Sequence, residues 1–168
     1  MPETDVHLWR AFVPRWAYAP LSGEGASRFG GRWNPVGAPT IYAACELSTA
    51  WAEYNQGFVQ HPAMIVQLEL KAARLADTTD QVLLRKFDVT ADIHRCEWRM
   101  LMDESKVPAT HQLRERLIAS RYHGVIYPSF MSLGGTCVAL WKWNMPGAPE
   151  LRAIDPEGRL PTSPASWL

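Results

Sequence analysis

The chain has 168 residues, 47% of them hydrophobic, which is enough for one domain with a real core and too little for two ordinary ones. Its 17 Lys and Arg balance 17 Asp and Glu, so no charge excess favours a hold on nucleic acid or on an anionic membrane. No apolar run approaches the roughly 20 residues of a membrane span, and the opening Met-Pro-Glu-Thr-Asp lacks the basic and apolar regions of a secretion signal. A cytoplasmic protein is expected. Cys45, Cys96 and Cys137 are odd in number, widely separated and without a Cys-x-x-Cys pair, so free thiols are expected rather than a disulfide framework or a zinc site. The eight tryptophans are spread along the chain and suit both a core and a cleft that stacks a flat ring.

In chain order, His7 to Val13 alternates as a strand, with Trp9, Ala11 and Val13 on one face and Leu8, Arg10 and Phe12 on the other. Arg10 then has two apolar neighbours, from which it either snorkels to solvent or points into a cleft and binds an anion. Tyr18 to Phe29 is rich in Gly and small residues without periodicity, so a mobile loop is expected there. Gly30 and Gly31 allow a sharp turn that brings the backbone close to a ligand, with Arg32 pointing from it. Asn34-Pro35 and Gly37 make a second turn, and Pro39 to Ala43 is a short strand carrying Tyr42. Ser48 and Thr49 start a helix that bears Glu53 and stops at Gly57.

Ala63 to Leu70 has the clearest period-2 pattern, with Met64, Val66, Leu68 and Leu70 facing in. Arg74 to Asp77 extends or follows it, and Asp80 to Phe87 and Ala91 to Asp103 have helix-compatible spacing. Pro108 opens a helix whose Leu113, Leu117 and Arg121 share a side, and Gly124 closes it. Val125 to Tyr127 is a short buried strand, Pro128-Ser129 breaks it, and Thr136 to Trp143 is a strand after the Gly134-Gly135 turn. Beyond Pro146 only Leu151 to Ile154 suggests an extended piece. This irregular order, without regular βαβ alternation, predicts α+β. The expected organisation is a single domain over residues 1–168, with a core of about 7–143 and a C-terminal extension of about 146–168.

Arg32, Tyr42, Glu53 and Ser129 are the residues that could carry chemistry. Each has an ordinary explanation when taken alone: a solvated loop arginine, a core tyrosine, an exposed helix glutamate and a turn serine. No Gly-x-Ser-x-Gly elbow, Ser-His-Asp order or His-Glu-x-x-His pattern is present, so familiar hydrolase and metalloprotease machinery is not indicated. His7, His61, His94, His111 and His123 lack ligand-like spacing and are expected to be structural or on the surface.

Gly-Gly-Arg-Trp-Asn-Pro-x-Gly-x-Pro-x-x-Tyr-Ala, then a helix with Ala-Glu, then Gly-Val-Ile-Tyr-Pro-Ser and a downstream Gly-Gly-Thr-Cys-Val-Ala-Leu, together resemble the RES domain from about His7 to Trp143. The resemblance implies a fold like the ADP-ribosyltransferase toxins, a small split β core with surrounding helices. It places the family's Arg on Arg32, its Glu on Glu53, its Ser on Ser129 and the associated tyrosine on Tyr42. One departure is the segment Phe-Met-Ser-Leu-Gly-Gly-Thr after Ser129, where the family often has a basic residue and an Asn.

Such proteins are toxins of bacterial toxin–antitoxin pairs that consume NAD and arrest growth, so NAD is the expected substrate, with no metal required. Glu53 would stabilise the oxocarbenium-like transition state of nicotinamide–ribose cleavage. Arg32 would take the pyrophosphate, with Gly31 allowing close approach and Arg10 a further candidate for the anion. Tyr42 would stack on the nicotinamide ring, and Ser129 would bond the carboxamide, a ribose hydroxyl or Glu53 itself. ADP-ribose would pass to a protein acceptor, for which the Ser22-to-Phe29 loop is the candidate surface, or to water or phosphate. The expected partner is an Xre-type antitoxin covering the active site, through an acidic group or C-terminal carboxylate on Arg32 or Arg10. A non-catalytic nucleotide- or partner-binding module and a nuclease toxin are the alternatives; the latter would need a basic patch and a His or Lys acid/base pair.

Overall fold

Seven strands form one mixed sheet in the computed structural model, which describes residues 4–57 and 59–167. Residues 1–3, part of the opening stretch considered above as a secretion signal, lie outside the described residues. The strands are β1 (Thr4–Phe12), β2 (Ile41–Ala44), β3 (Met64–Ala73), β4 (Leu75–Asp77), β5 (Gly124–Pro128), β6 (Thr136–Leu140) and β7 (Glu150–Ala153). The helices are α1 (Glu24–Phe29), α2 (Leu47–Asn55), α3 (Gln81–Lys86), α4 (Trp98–Asp103) and α5 (Ala109–Ala119), so the α+β expectation holds. Sheet order is β4-β5-β6-β2-β1-β3-β7, antiparallel except for the β4–β5 pair.

β1 runs beside β3 from Thr4 to Phe12, and β2 pairs with β6 along all of Ile41–Ala44. Between β1 and β2 there is a single registered pair, Trp9 opposite Ala44. The sheet is thus split into two halves that meet at this point. Beyond it Trp9 and Ala11 of β1 and Tyr42 and Ala43 of β2 line a common cleft.

Because successive side chains on a strand point to opposite faces, each strand feeds two cores. On β6, Cys137 and Ala139 join Trp33, Leu83, Leu84, Leu113, Leu117, Tyr122 and Tyr127 under helices α3 and α5. Val138 and Leu140 join Leu8, Ile41, Val66, Leu68, Leu70 and Leu151 on the other face. β3 keeps the expected alternation, with Val66, Leu68 and Leu70 buried. α5 buries Leu113 and Leu117 as expected but ends at Ala119, and Arg121 sits beyond it with φ 63° rather than on its face.

Four other segments differ from expectation. The Gly-rich stretch before Gly30 is not a loop throughout: Glu24–Phe29 is helical, held by an i,i+4 pair of Arg28 with Glu24 and closed by Gly30 at φ 72°. Ala91 to Asp103 is interrupted at Cys96 and Glu97, which separate a 3-10 turn at Ala91–Arg95 from α4. α2 stops at Gln56, which takes the left-handed conformation at φ 47°, one residue before Gly57. Strand β6 ends at Leu140 rather than Trp143, while the extended piece expected at Leu151 to Ile154 is present as the edge strand β7, Glu150–Ala153, on β3. Among the described residues no helix is long and apolar enough to cross a membrane.

Candidate active site

The turn that carries Arg32 is pinned from several directions. Gly31 and Asn34 bridge each other, with N–H to carbonyl distances of 2.9 and 3.3 Å. Asn34 is fully buried and its side-chain amide donates to the carbonyls of Ala26, Pro35 and Ala38 at 2.9–3.1 Å. The Tyr42 hydroxyl donates to Asn34 Oδ1 at 2.7 Å and accepts from the Trp33 backbone N–H at 2.9 Å. Burial holds that phenol's proton well above the usual tyrosine range. Trp141 Nε1 donates to the Trp33 carbonyl at 3.0 Å, and His111 Nε2 donates to the Gly31 carbonyl at 2.8 Å. The Tyr42 hydroxyl is therefore committed to the turn, and only the ring is left to face a ligand.

From this turn Arg32 reaches into the cleft, where Nη1 donates to the His94 carbonyl at 2.8 Å and the guanidinium lies 5.9 Å from the centre of the Phe130 ring. His94 Nε2 donates in turn to Thr78 Oγ1 at 2.9 Å, whose own proton goes to the Ile126 carbonyl. Burial and the nearby Arg32 lower the His94 pKa, so the neutral ring is favoured.

Glu53 comes from the inward side of α2, three and four residues beyond the buried Ala50 and Thr49. Its Oε1 accepts from Ser129 Oγ at 2.6 Å, Phe130 N at 3.1 Å and Met131 N at 3.3 Å. Cys137 Sγ lies 3.8 Å from the same oxygen. Burial, reinforced by the Glu53 charge, pushes that thiol up to about 12, so it stays protonated and donates. Ser129 Oγ also accepts from Met131 N and Ser132 N at 3.2 and 2.9 Å, which folds the 129–135 loop around its hydroxyl. Among the described residues no hydrogen bond reaches Glu53 Oε2. One oxygen is anchored and the other is available.

Arg32, Tyr42, Glu53 and Gly31 all line one cleft of about 1200 Å³, with Ser129 bonded to Glu53 at its wall. That volume is somewhat above the roughly 300–1,000 Å³ typical of small-molecule sites. Arg95, Trp98 and Arg99 also line the cleft. Arg10 does not join them: its guanidinium donates to the Pro20 and Ser22 carbonyls and lies 5.3 Å from the centre of the Phe12 ring. Burial lowers its pKa to about 10. His94, His111, Trp141 and Cys137 join the site without a signal in the sequence. No spacing marks them, because each acts across more than 60 residues, as with the 80 between His111 and Gly31. Among the described residues no group of three or more His, Cys, Asp or Glu is placed to hold a metal ion.

Gly31 is buried and has no room for a side chain. A Cβ there would lie 2.6 Å from the Tyr42 hydroxyl and 2.9 Å from Asn34 Oδ1, both already hydrogen-bonded to the turn. Gly31→Ala is therefore expected to lower stability by about 1–3 kcal/mol, the scale of overpacking, and to move Arg32. Thermal denaturation checks the first effect; an unchanged melting temperature would mean the turn has slack that the geometry denies.

By architecture this is an α+β protein with a split mixed sheet and a cleft built around an anchored carboxylate and an arginine on a glycine turn. The chain belongs to the RES domain family, whose model matches residues 7–163. Curated relatives named NAD(+) phosphorylase MbcT, from Mycobacterium bovis and Mycobacterium tuberculosis, are 39% identical over 71 residues. The match spans 42% of this chain and only 38% of the relatives' length. A chain of the crystal structure of the M. tuberculosis MbcT–MbcA toxin–antitoxin complex shares the fold, with a TM-score of 0.66 at 19% identity over 92% of this chain and 87% of that one.

Proposed function

We propose that the protein is a toxin that consumes NAD by breaking the nicotinamide–ribose bond and passing ADP-ribose to inorganic phosphate. The observation that carries this reading is the state of Glu53. One carboxylate oxygen is held by three donors and a thiol, while the other has no hydrogen bond among the described residues and belongs to a group lining the cleft. A negative charge fixed in this way stabilises positive charge developing at the ribose carbon without reorganising during the reaction. Nicotinamide leaves with both electrons of the bond, and a phosphate oxygen then bonds to the same carbon while its proton goes to solvent. Arg32 is the guanidinium suited to the pyrophosphate, and the Tyr42 ring is the flat surface for nicotinamide. Phosphate as acceptor is supported by the name of the curated relatives and by Arg95 and Arg99 in the cleft wall.

The partner proposed with this activity is an antitoxin that occludes the cleft, in line with the toxin–antitoxin complex that shares the fold. An acidic group of that antitoxin would meet Arg32; Arg10 is committed to Pro20 and Ser22. An Xre-type protein fits this role.

Purified protein incubated with NAD, with and without phosphate, tests the chemistry. Nicotinamide release that rises with phosphate, together with a new phosphate ester in the ³¹P NMR spectrum, is expected. Free ADP-ribose at the same rate in both conditions would make water the acceptor, and a labelled protein band from labelled NAD would make it a protein. Absence of nicotinamide release would end the NAD reading.

A further inference from the structure

The two peptide planes that flank Arg32 are each held by a side chain from elsewhere in the chain. The plane before it carries the Gly31 carbonyl, which accepts from His111 Nε2 at 2.8 Å. The plane after it carries the Trp33 N–H, which donates to the Tyr42 hydroxyl at 2.9 Å. A peptide unit is rigid, so fixing the planes on both sides of one residue fixes its φ and ψ and hence the direction of its Cα–Cβ bond. We infer that His111 is a positioning residue for Arg32, acting through the Gly31 carbonyl to aim the guanidinium into the cleft. This inference rests on the reading that Arg32 binds the pyrophosphate of the substrate.

The surroundings of His111 fit that role. It stands on α5 among the buried residues Thr110, Leu113, Arg114 and Leu117 and is itself only 5% exposed. A leucine in this place would pack against the same core, so packing alone does not call for an imidazole. The ring's N–H is the shorter of two bonds to the Gly31 carbonyl, at 2.8 Å against 3.3 Å from Asn34 N, and it reaches 80 residues along the chain to a group next to the proposed ligand-binding cation. Burial lowers its pKa and favours the neutral form, in which Nε2 still carries the proton that the Gly31 carbonyl accepts. Misaiming a binding group by about an ångström is enough to cost up to about a hundred-fold in rate. The loss of this one hydrogen bond therefore matters to binding more than its small contribution to folding suggests.

The test compares His111→Leu, which keeps bulk and removes the donor, with His111→Gln, whose side-chain amide can donate to the same carbonyl. Both are made in the wild-type background and with Arg32→Ala, and circular dichroism establishes that each is folded. Affinity for ADP-ribose, the probe, is measured by calorimetry, and KM and kcat for NAD by nicotinamide release. His111→Leu is expected to weaken ADP-ribose binding and raise KM roughly ten-fold with a smaller change in kcat, and His111→Gln to recover most of both. In the Arg32→Ala background, already weakened, His111→Leu should have no further effect. Wild-type binding by a folded His111→Leu, or an equal loss with and without Arg32, would overturn the inference. Wild-type ADP-ribose binding by Arg32→Ala alone would instead overturn the reading of Arg32 on which the inference stands. If His111→Leu does not fold, His111→Gln decides: a folded protein with wild-type binding supports donor replacement, and a folded protein with weak binding overturns it.

Discussion

Glu53→Gln is expected to cut nicotinamide release by about two to three orders of magnitude, the scale of losing one preorganised electrostatic stabiliser. The substitution nearly preserves shape. The amide oxygen can take the place of Oε1 and accept from Ser129, Phe130 and Met131. The amide nitrogen then occupies the position of Oε2, so a neutral hydrogen-bond donor faces the cleft where a negative oxygen had been. Folding should change little, because the anchored side survives, and the melting temperature is the control. Ser129→Ala should give a smaller loss, since two backbone donors and the Cys137 thiol still hold Oε1. Full turnover by a folded Glu53→Gln enzyme would falsify the proposed role of the carboxylate.

Trp33→Ala is expected to cost about 3–5 kcal/mol, the range for deleting a large aromatic side chain from a core. Against the roughly 5–15 kcal/mol that holds an ordinary domain folded, that is a third or more of the stability for all but the most stable domains. Trp33 has no exposed surface, and its ring packs against Tyr127 at 5.6 Å between centroids. It also follows Arg32 directly, so the residue that anchors the core and the one that faces the cleft share a peptide bond. Trp33→Phe keeps an aromatic ring against Tyr127 and removes an indole N–H that has no partner among the described residues. It should therefore be much the milder change. Urea denaturation of the three proteins measures the difference, and equal midpoints for wild type and Trp33→Ala would contradict the burial.

The strands were the most legible part of the sequence. Period 2 in Met64 to Leu70 and the β-branched and aromatic residues of Thr40-Ile41-Tyr42 report backbone geometry directly, and strands appear at both places, the second as Ile41–Ala44. Arg32, Tyr42 and Glu53 lie within about one turn, one strand and one helix of each other, so local order already brought them near. Ser129 stood out only as a serine after the Pro128 break until the resemblance gave it a role, and its bond to Glu53 spans 76 residues that no local pattern encodes. The helix at Glu24–Phe29 was hidden by Gly25 and Ser27, whose weak helical propensity is outweighed here by its Glu24–Arg28 pair and the Gly30 cap. Arg10 was placed correctly on the face of Leu8 and Phe12, but alternation cannot say whether that face borders a cleft. Here it meets the Pro20 and Ser22 carbonyls instead. His111 was invisible for a similar reason: its partner is a backbone carbonyl, which leaves no mark in the spelling of either segment.

The ring of donors around Glu53 has a consequence for synthesis. Arg32, Tyr42 and Glu53 leave the ribosome within the first third of the chain, whereas the groups that hold Glu53 Oε1 all come from residues 129–137. Strand β6, which carries Cys137, also supplies the neighbour of β2. A nascent chain that has emerged only as far as α5 therefore holds the partners of the Arg32 turn at Asn34, Tyr42 and His111, but lacks every donor to Glu53 Oε1. The anchored carboxylate therefore takes shape late in translation, when β5 and β6 dock and the 129–137 donors reach Glu53.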